Sequence, residues 1–95
     1  MAVTLITGAG SGIGAATAAV FAERGGSVAC VDQDFERARH TAATIGDAAI
    51  AVQADVTDPV ACDEAVASTV AAFGDIHHVV TCAGVDSPDA ASRPI

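Results

Sequence analysis

The sequence contains no Lys, no Tyr and no Trp, has only four Arg against twelve Asp plus Glu, and has no apolar run approaching eighteen residues. Each shortage excludes some chemistry. Without Lys there is neither a Walker phosphate loop nor a Schiff-base amine, and without Tyr or Lys no phenol or ammonium can act as acid or base. Arg24, Arg37, Arg39 and Arg93 are scattered through a chain of net charge −8, which argues against nucleic acid as a partner. A helical membrane span is not indicated, and the amino terminus lacks the basic segment and cleavage site of a signal peptide, so the expected location is the cytoplasm. Cys30, Cys62 and Cys82 are odd in number and lack metal-ligand spacing; they read as buried small apolar side chains in a reducing compartment. Ninety-five residues make one small domain, which buries about 60–68% of the surface its unfolded chain exposes.

What is present alternates. Ala2 to Thr7 is a β-branched apolar run that ends at the glycine cluster Gly8-Ala9-Gly10-Ser11-Gly12-Ile13-Gly14. Ile13, Ala16, Thr17, Val20, Phe21 and Arg24 then recur at helical spacing, and Gly25-Gly26 ends that helix. A second strand, Ser27 to Val31, closes on Asp32, and a helix starting near Asp34 places Phe35, Ala38, Ala42 and Ile45 on one face before Gly46. Ala48 to Ala54 reads as a third strand. Asp58-Pro59 caps a third helix with an inward stripe of Cys62, Ala65, Val66, Thr69, Val70 and Phe73, ended by Gly74. Ile76 to Cys82 is strand four, and 86–95 reads as an extended or disordered tail after a domain spanning 1–85.

Four apolar strands joined by helices predict an α/β fold with a parallel sheet between two helical layers. Right-handed crossovers put the first two helices on one face and the third on the other, giving the Rossmann-type strand order 3-2-1-4, a truncated half of a doubly wound fold. In that arrangement Cys30 and Cys82 flank strand one about two strand spacings apart, too far for a disulfide. Strand four would be an open edge suited to self-association or to a partner chain.

Gly8, Gly12 and Gly14 between strand and helix suit a turn that lets a phosphate reach unpaired N–H groups at a helix amino terminus. A bare strand-to-helix turn also uses glycine. Asp32 adds context, because it lies twenty residues after Gly12 at a strand end, where a carboxylate accepts ribose hydroxyls and repels a 2′-phosphate. That favours NAD over NADP, with no Arg adjacent in sequence to offset the repulsion; the alternative is that Asp32 merely caps its own loop. Gln33, next along, falls in the same place. His77-His78 point to opposite sides of a strand and suit solvation or packing at its mouth better than metal binding, His40 reads as solvated, and Ser11 lacks the paired base of a nucleophile.

The run Thr7-Gly8-Ala9-Gly10-Ser11-Gly12-Ile13-Gly14 resembles the TGxxxGIG signature of the short-chain dehydrogenase/reductase family. Asp55-Val56 and Ala83-Gly84 match that family's adenine-contacting pair and the end of its Asn-Asn-Ala-Gly motif, and the resemblance runs from Ala2 to about Val85. It implies that Gly8, Ser11, Gly12, Ile13 and Gly14 line the pyrophosphate, Asp32 the ribose, Asp55 and Val56 the adenine, and Cys82, Ala83 and Gly84 the nicotinamide ribose. Thr81-Cys82 departs from the two asparagines. The family's catalytic serine and Tyr-x-x-x-Lys pair belong to later elements and are absent here, so the resemblance implies an NAD-dependent oxidoreductase present as its amino-terminal cofactor-binding part, inactive alone. The competing readings are a non-catalytic nucleotide-binding module or half-site completed by a partner, a truncated gene product, and a site for S-adenosylmethionine, which also combines a glycine loop with an acidic strand end.

Overall fold

The computed structural model describes residues 2–82 of the chain. The expected tail at 86–95, and Ala83 and Gly84, lie outside the described residues. The elements follow in the order β1 (Val3–Thr7), α1 (Gly12–Glu23), β2 (Ser27–Asp32), α2 (Phe35–Ile45), β3 (Ala49–Gln53), α3 (Pro59–Phe73) and β4 (His78–Thr81). All pairings are parallel, and the sheet runs β3-β2-β1-β4. The central strands are the most apolar because both of their faces are covered. On one face Ile6, Val28 and Cys30 pack with Ala18, Phe21 and Ala22 of α1 and with Ala42 and Ile45 of α2. On the other, Leu5, Ala29 and Val31 pack with Ala61 and Ala65 of α3. The expected two-and-one division of the helices is therefore the one observed.

Local signals account for the helix ends. Asp34 caps α2 by accepting from the Glu36 and Arg37 N–H groups, and Asp58 caps α3 through Val60 N–H ahead of Pro59 at the helix start. Helix α1 ends in a Schellman arrangement: Gly25 N–H bonds Ala22 O at 3.0 Å and Gly26 N–H bonds Phe21 O at 3.1 Å, with Gly25 at φ +86°.

Several expectations are corrected. The buried side of α1 is Gly14 and Ala18, with Phe21 and Ala22 partly covered, and not the stripe from Ile13 to Arg24; Ile13 is 60% exposed. Tight packing on the sheet selects the smallest side chains and turns Ile13 and Val20 outward. In α3 only Ala65 and Thr69 are buried, while Val66 and Val70 are exposed, because α3 packs over β1 to β3 and leaves an open groove towards β4 lined by Val66, Val79 and Thr81. Phe35 at the first turn of α2 is likewise exposed. Cys30 and Cys82 are buried, but Cys62 is only half-buried, with its thiol donating to Val56 O; all three are free thiols. Burial pushes the Cys30 thiol up to about 11, which keeps it protonated and inert at neutral pH.

Strand four starts at His78 and not at Ile76. Of the solvation or packing expected for the histidine pair at the strand mouth, His77 has a structural part: its backbone N–H donates to Val3 O at 2.8 Å, and its Nδ1 accepts the Val3 N–H at 2.8 Å. The imidazole thus satisfies the first donor of β1, which has no helix or neighbouring turn to bond it. Replacing His77 by Ala leaves that N–H unpaired and is expected to destabilise the fold by about 1–3 kcal/mol, whereas His77→Asn, which keeps an acceptor, loses less. Urea unfolding of the two variants checks this; equal stability of His77→Ala and the parent would contradict it.

Candidate functional site

The carboxyl ends of β1, β2 and β3 carry the loops in which the sequence motifs fall. Gly8 and Gly12 adopt φ of +68° and +57°, so the chain reverses twice between β1 and α1 in a conformation that disfavours side chains. A Cβ on Gly14 would collide with the Gly8 carbonyl, so this helix can approach its own strand only with glycine there. Ser11 takes the N-cap position of α1 without a side-chain capping bond, whereas the caps of α2 and α3 are both satisfied by aspartate. The first-turn N–H groups of α1 thus face the loop as donors at the positive end of the helix dipole.

Asp32 ties this loop to β2. Its Oδ2 accepts the Gly10 N–H at 2.9 Å and its Oδ1 accepts the Asp34 N–H at 2.9 Å. The loop-capping alternative is therefore part of what Asp32 does, and each oxygen retains a lone pair for a further donor. Around it, Ala9 N–H bonds Val31 O at 3.0 Å, Ala54 N–H bonds Asp32 O at 3.1 Å, and the buried Thr41 hydroxyl donates to Ala9 O at 2.9 Å. Gln33 is exposed beside it and accepts Gln53 Nε2 at 3.2 Å through its carbonyl. No Arg adjoins Asp32 in sequence, but Arg37 does in space: a Cβ on Gly10 would lie 2.5 Å from Arg37 Cβ and 2.7 Å from Asp32 Oδ2. The Arg37 side chain turns to Asp34, with Nε 3.6 Å from Oδ2.

Beyond β3, Asp55 Oδ1 accepts both the Thr57 N–H at 2.9 Å and the Thr57 hydroxyl at 2.7 Å, and Val56 stands exposed beside it. Cys82 is buried against Ile6, Ala9 and Ala18, and its N–H extends the β1–β4 ladder to Thr7 O at 3.1 Å. The structure therefore gathers Gly8, Ser11, Gly12, Ile13, Gly14, Asp32, Gln33, Asp55, Val56 and Cys82 at one end of the sheet, the end where open α/β sheets bind ligands. Gly10, Arg37 and Thr41 belong to the same block and were missed, since their contacts reach 22 or more residues along the chain or depend on the rotation of α2. The described residues contain no group of three or more His, Cys, Asp or Glu able to hold a metal, and no helix long and apolar enough to cross a membrane.

A parallel β3-β2-β1-β4 sheet with a glycine turn into α1 and an acidic β2 end defines a nucleotide-binding α/β fold. Residues 2–94 match the family model of the short chain dehydrogenases, and the chain belongs to that family. It is 43% identical over 81 residues to the sorbitol dehydrogenase of Cereibacter sphaeroides, covering 85% of this chain and 32% of that protein. It is 45% identical over 83 residues to the galactitol 2-dehydrogenase of Agrobacterium fabrum, covering 87% and 32%. Among solved structures, the 3-ketoacyl-(acyl-carrier-protein) reductase of Brucella melitensis, complexed with NADH, superposes with a TM-score of 0.81 at 44% identity, over 82% of this chain and 32% of that one. The chain thus spans about a third of the length of these relatives.

The Asp55 carboxyl is held below the ordinary aspartate range, first by the Thr57 hydroxyl and then by the Thr57 N–H. A depressed value contributes stability that is present above the unfolded-state pKa and lost as pH falls through the folded one. Carboxyl-carbon NMR should therefore give Asp55 a midpoint below those of unpaired aspartates, and Thr57→Ala should move it up; an unmoved midpoint would refute the assignment.

Proposed function

We propose that the chain binds the adenosine and pyrophosphate of NAD, as the cofactor-binding part of a short-chain dehydrogenase acting on a secondary alcohol or ketone. The observation that carries this reading is the Asp32 carboxylate, fixed by two backbone N–H groups with one lone pair per oxygen left to accept. Two vicinal ribose hydroxyls are two donors and match it. A 2′-phosphate has no proton to give and adds negative charge, so NADP is disfavoured.

The glycine cradle fits the rest of the dinucleotide. Gly8, Ser11, Gly12, Ile13 and Gly14 lie along the pyrophosphate, at the amino-terminal, positive end of the α1 dipole. Asp32 and Gln33 take the adenosine ribose. Asp55, whose two bonds both fall on Oδ1, offers Oδ2 to the adenine amino group, with Val56 alongside. Cys82, Ala83 and Gly84 border the nicotinamide ribose, the last two lying outside the described residues. When bound, the nicotinamide exchanges hydride with the alcohol or ketone carbon. The alcohol proton needs an acceptor, a role the family resemblance gives to a Tyr-x-x-x-Lys pair; this sequence has neither residue, so the 95-residue chain is expected to turn over no alcohol with NAD. The dehydrogenase and reductase names of the relatives, and the NADH in one of them, support the cofactor and the reaction class.

Calorimetric titration of the chain tests the reading. NAD should bind at least about tenfold tighter than NADP, and Asp32→Ala should erase most of that difference. Tighter binding of NADP than of NAD, or an unchanged preference in Asp32→Ala, would overturn it.

A further inference from the structure

Gly10 lies at a variable position of the glycine signature, has an ordinary backbone conformation, and needs no left-handed φ. Its lack of a side chain has another cause. The position a Cβ would occupy is 2.7 Å from Asp32 Oδ2, 3.0 Å from Asp32 Cγ and 2.5 Å from Arg37 Cβ. The same residue's N–H holds Asp32 Oδ2 at 2.9 Å. Backbone donor and missing side chain act together: the carboxylate is drawn onto the loop and rests where a methyl group would otherwise stand.

We infer that Gly10 is a positioning residue that sets the preference for NAD over NADP by fixing where the Asp32 carboxylate stands. This rests on the cofactor reading above and deepens it. Any side chain at position 10 must displace Asp32, α2, or both. Among the described residues Asp32 is held on its other oxygen by the Asp34 N–H, so losing the Gly10 bond leaves it pivoting about Oδ1. A carboxylate turned away from the loop no longer presents both oxygens to a diol and no longer confronts a 2′-phosphate. NAD affinity then falls while NADP affinity changes less, and selectivity collapses without any change in charge.

The test is titration of the full chain with NAD and NADP. Gly10→Ala should weaken NAD by at least about tenfold and bring the NAD:NADP affinity ratio within about threefold of one. His77→Ala serves as a control, since it loosens the opposite end of the sheet and should lower stability with the ratio unchanged. Because Gly10→Ala also strikes α2, Gly10→Ala combined with Arg37→Gly removes the 2.5 Å conflict and leaves the one with Asp32; it should fold and keep the altered ratio. In the Asp32→Ala background, Gly10→Ala should no longer move the ratio. With Gly10 left in place, hydrogen exchange gives an independent check: Asp32→Ala should speed exchange at the Gly10 amide by at least about tenfold relative to the parent, through loss of its acceptor. A folded Gly10→Ala variant with the parent's ratio, or a Gly10 amide whose exchange ignores Asp32→Ala, overturns the inference. Failure of the parent chain to prefer NAD overturns instead the cofactor reading beneath it.

Discussion

The contact on which the rest depends is the one between Gly14 and the carbonyl of Gly8. No other residue lets the first turn of α1 lie so close to the end of its own strand. That closeness goes with a positive φ at Gly8 and Gly12 and with Gly14 and Ala18 as the buried side of the helix, whose amino terminus starts over the carboxyl end of β1. Backbone N–H groups at the start of α1 are thereby set at the positive end of the helix dipole, the arrangement on which the proposed pyrophosphate contact rests.

The loop does not stand alone. Asp32 and Thr41 join it to β2 and α2 through Gly10 N–H and Ala9 O, and Ala54 N–H brings the end of β3 to Asp32 O. Three strand ends and two helices are thereby locked into one block, with a single aspartate joining loop, strand and helix. The opposite end of the sheet is closed differently, with an imidazole supplying the acceptor that Val3 needs. One end is closed by an aspartate and a glycine loop, the other by a histidine.

The strands, the helix caps at Asp34 and Asp58, the terminators at Gly25 and Gly74, and the order 3-2-1-4 were all legible in the sequence, because each depends on residues a few positions apart. The rotation of α1 and α3 was not. Both helices carry alanine on nearly every side, so apolar periodicity does not point to one face, and the contact geometry chooses the smallest side chains. Gly10 and His77 escaped for a related reason: their partners lie 22 and 74 residues away, and both are backbone-to-side-chain bonds that no local pattern encodes. The motif residues among those described lie at one sheet end. What the motif could not reveal was which residue holds the acidic one in place.

Family membership fixes the ancestry of this site, and the chain spans about a third of the length of the relatives it matches. If the dinucleotide lies across the carboxyl ends of β1, β2 and β3, as proposed, amide NMR during titration with NAD will register it there. Gly10, Gly12, Ile13, Gly14, Gln33 and Val56 should shift together on one binding curve, while Gly25, Gly46, Gly74 and His77 at the far end remain still. Shifts centred on the far end, or on the open groove beside Val66 and Val79, would contradict it.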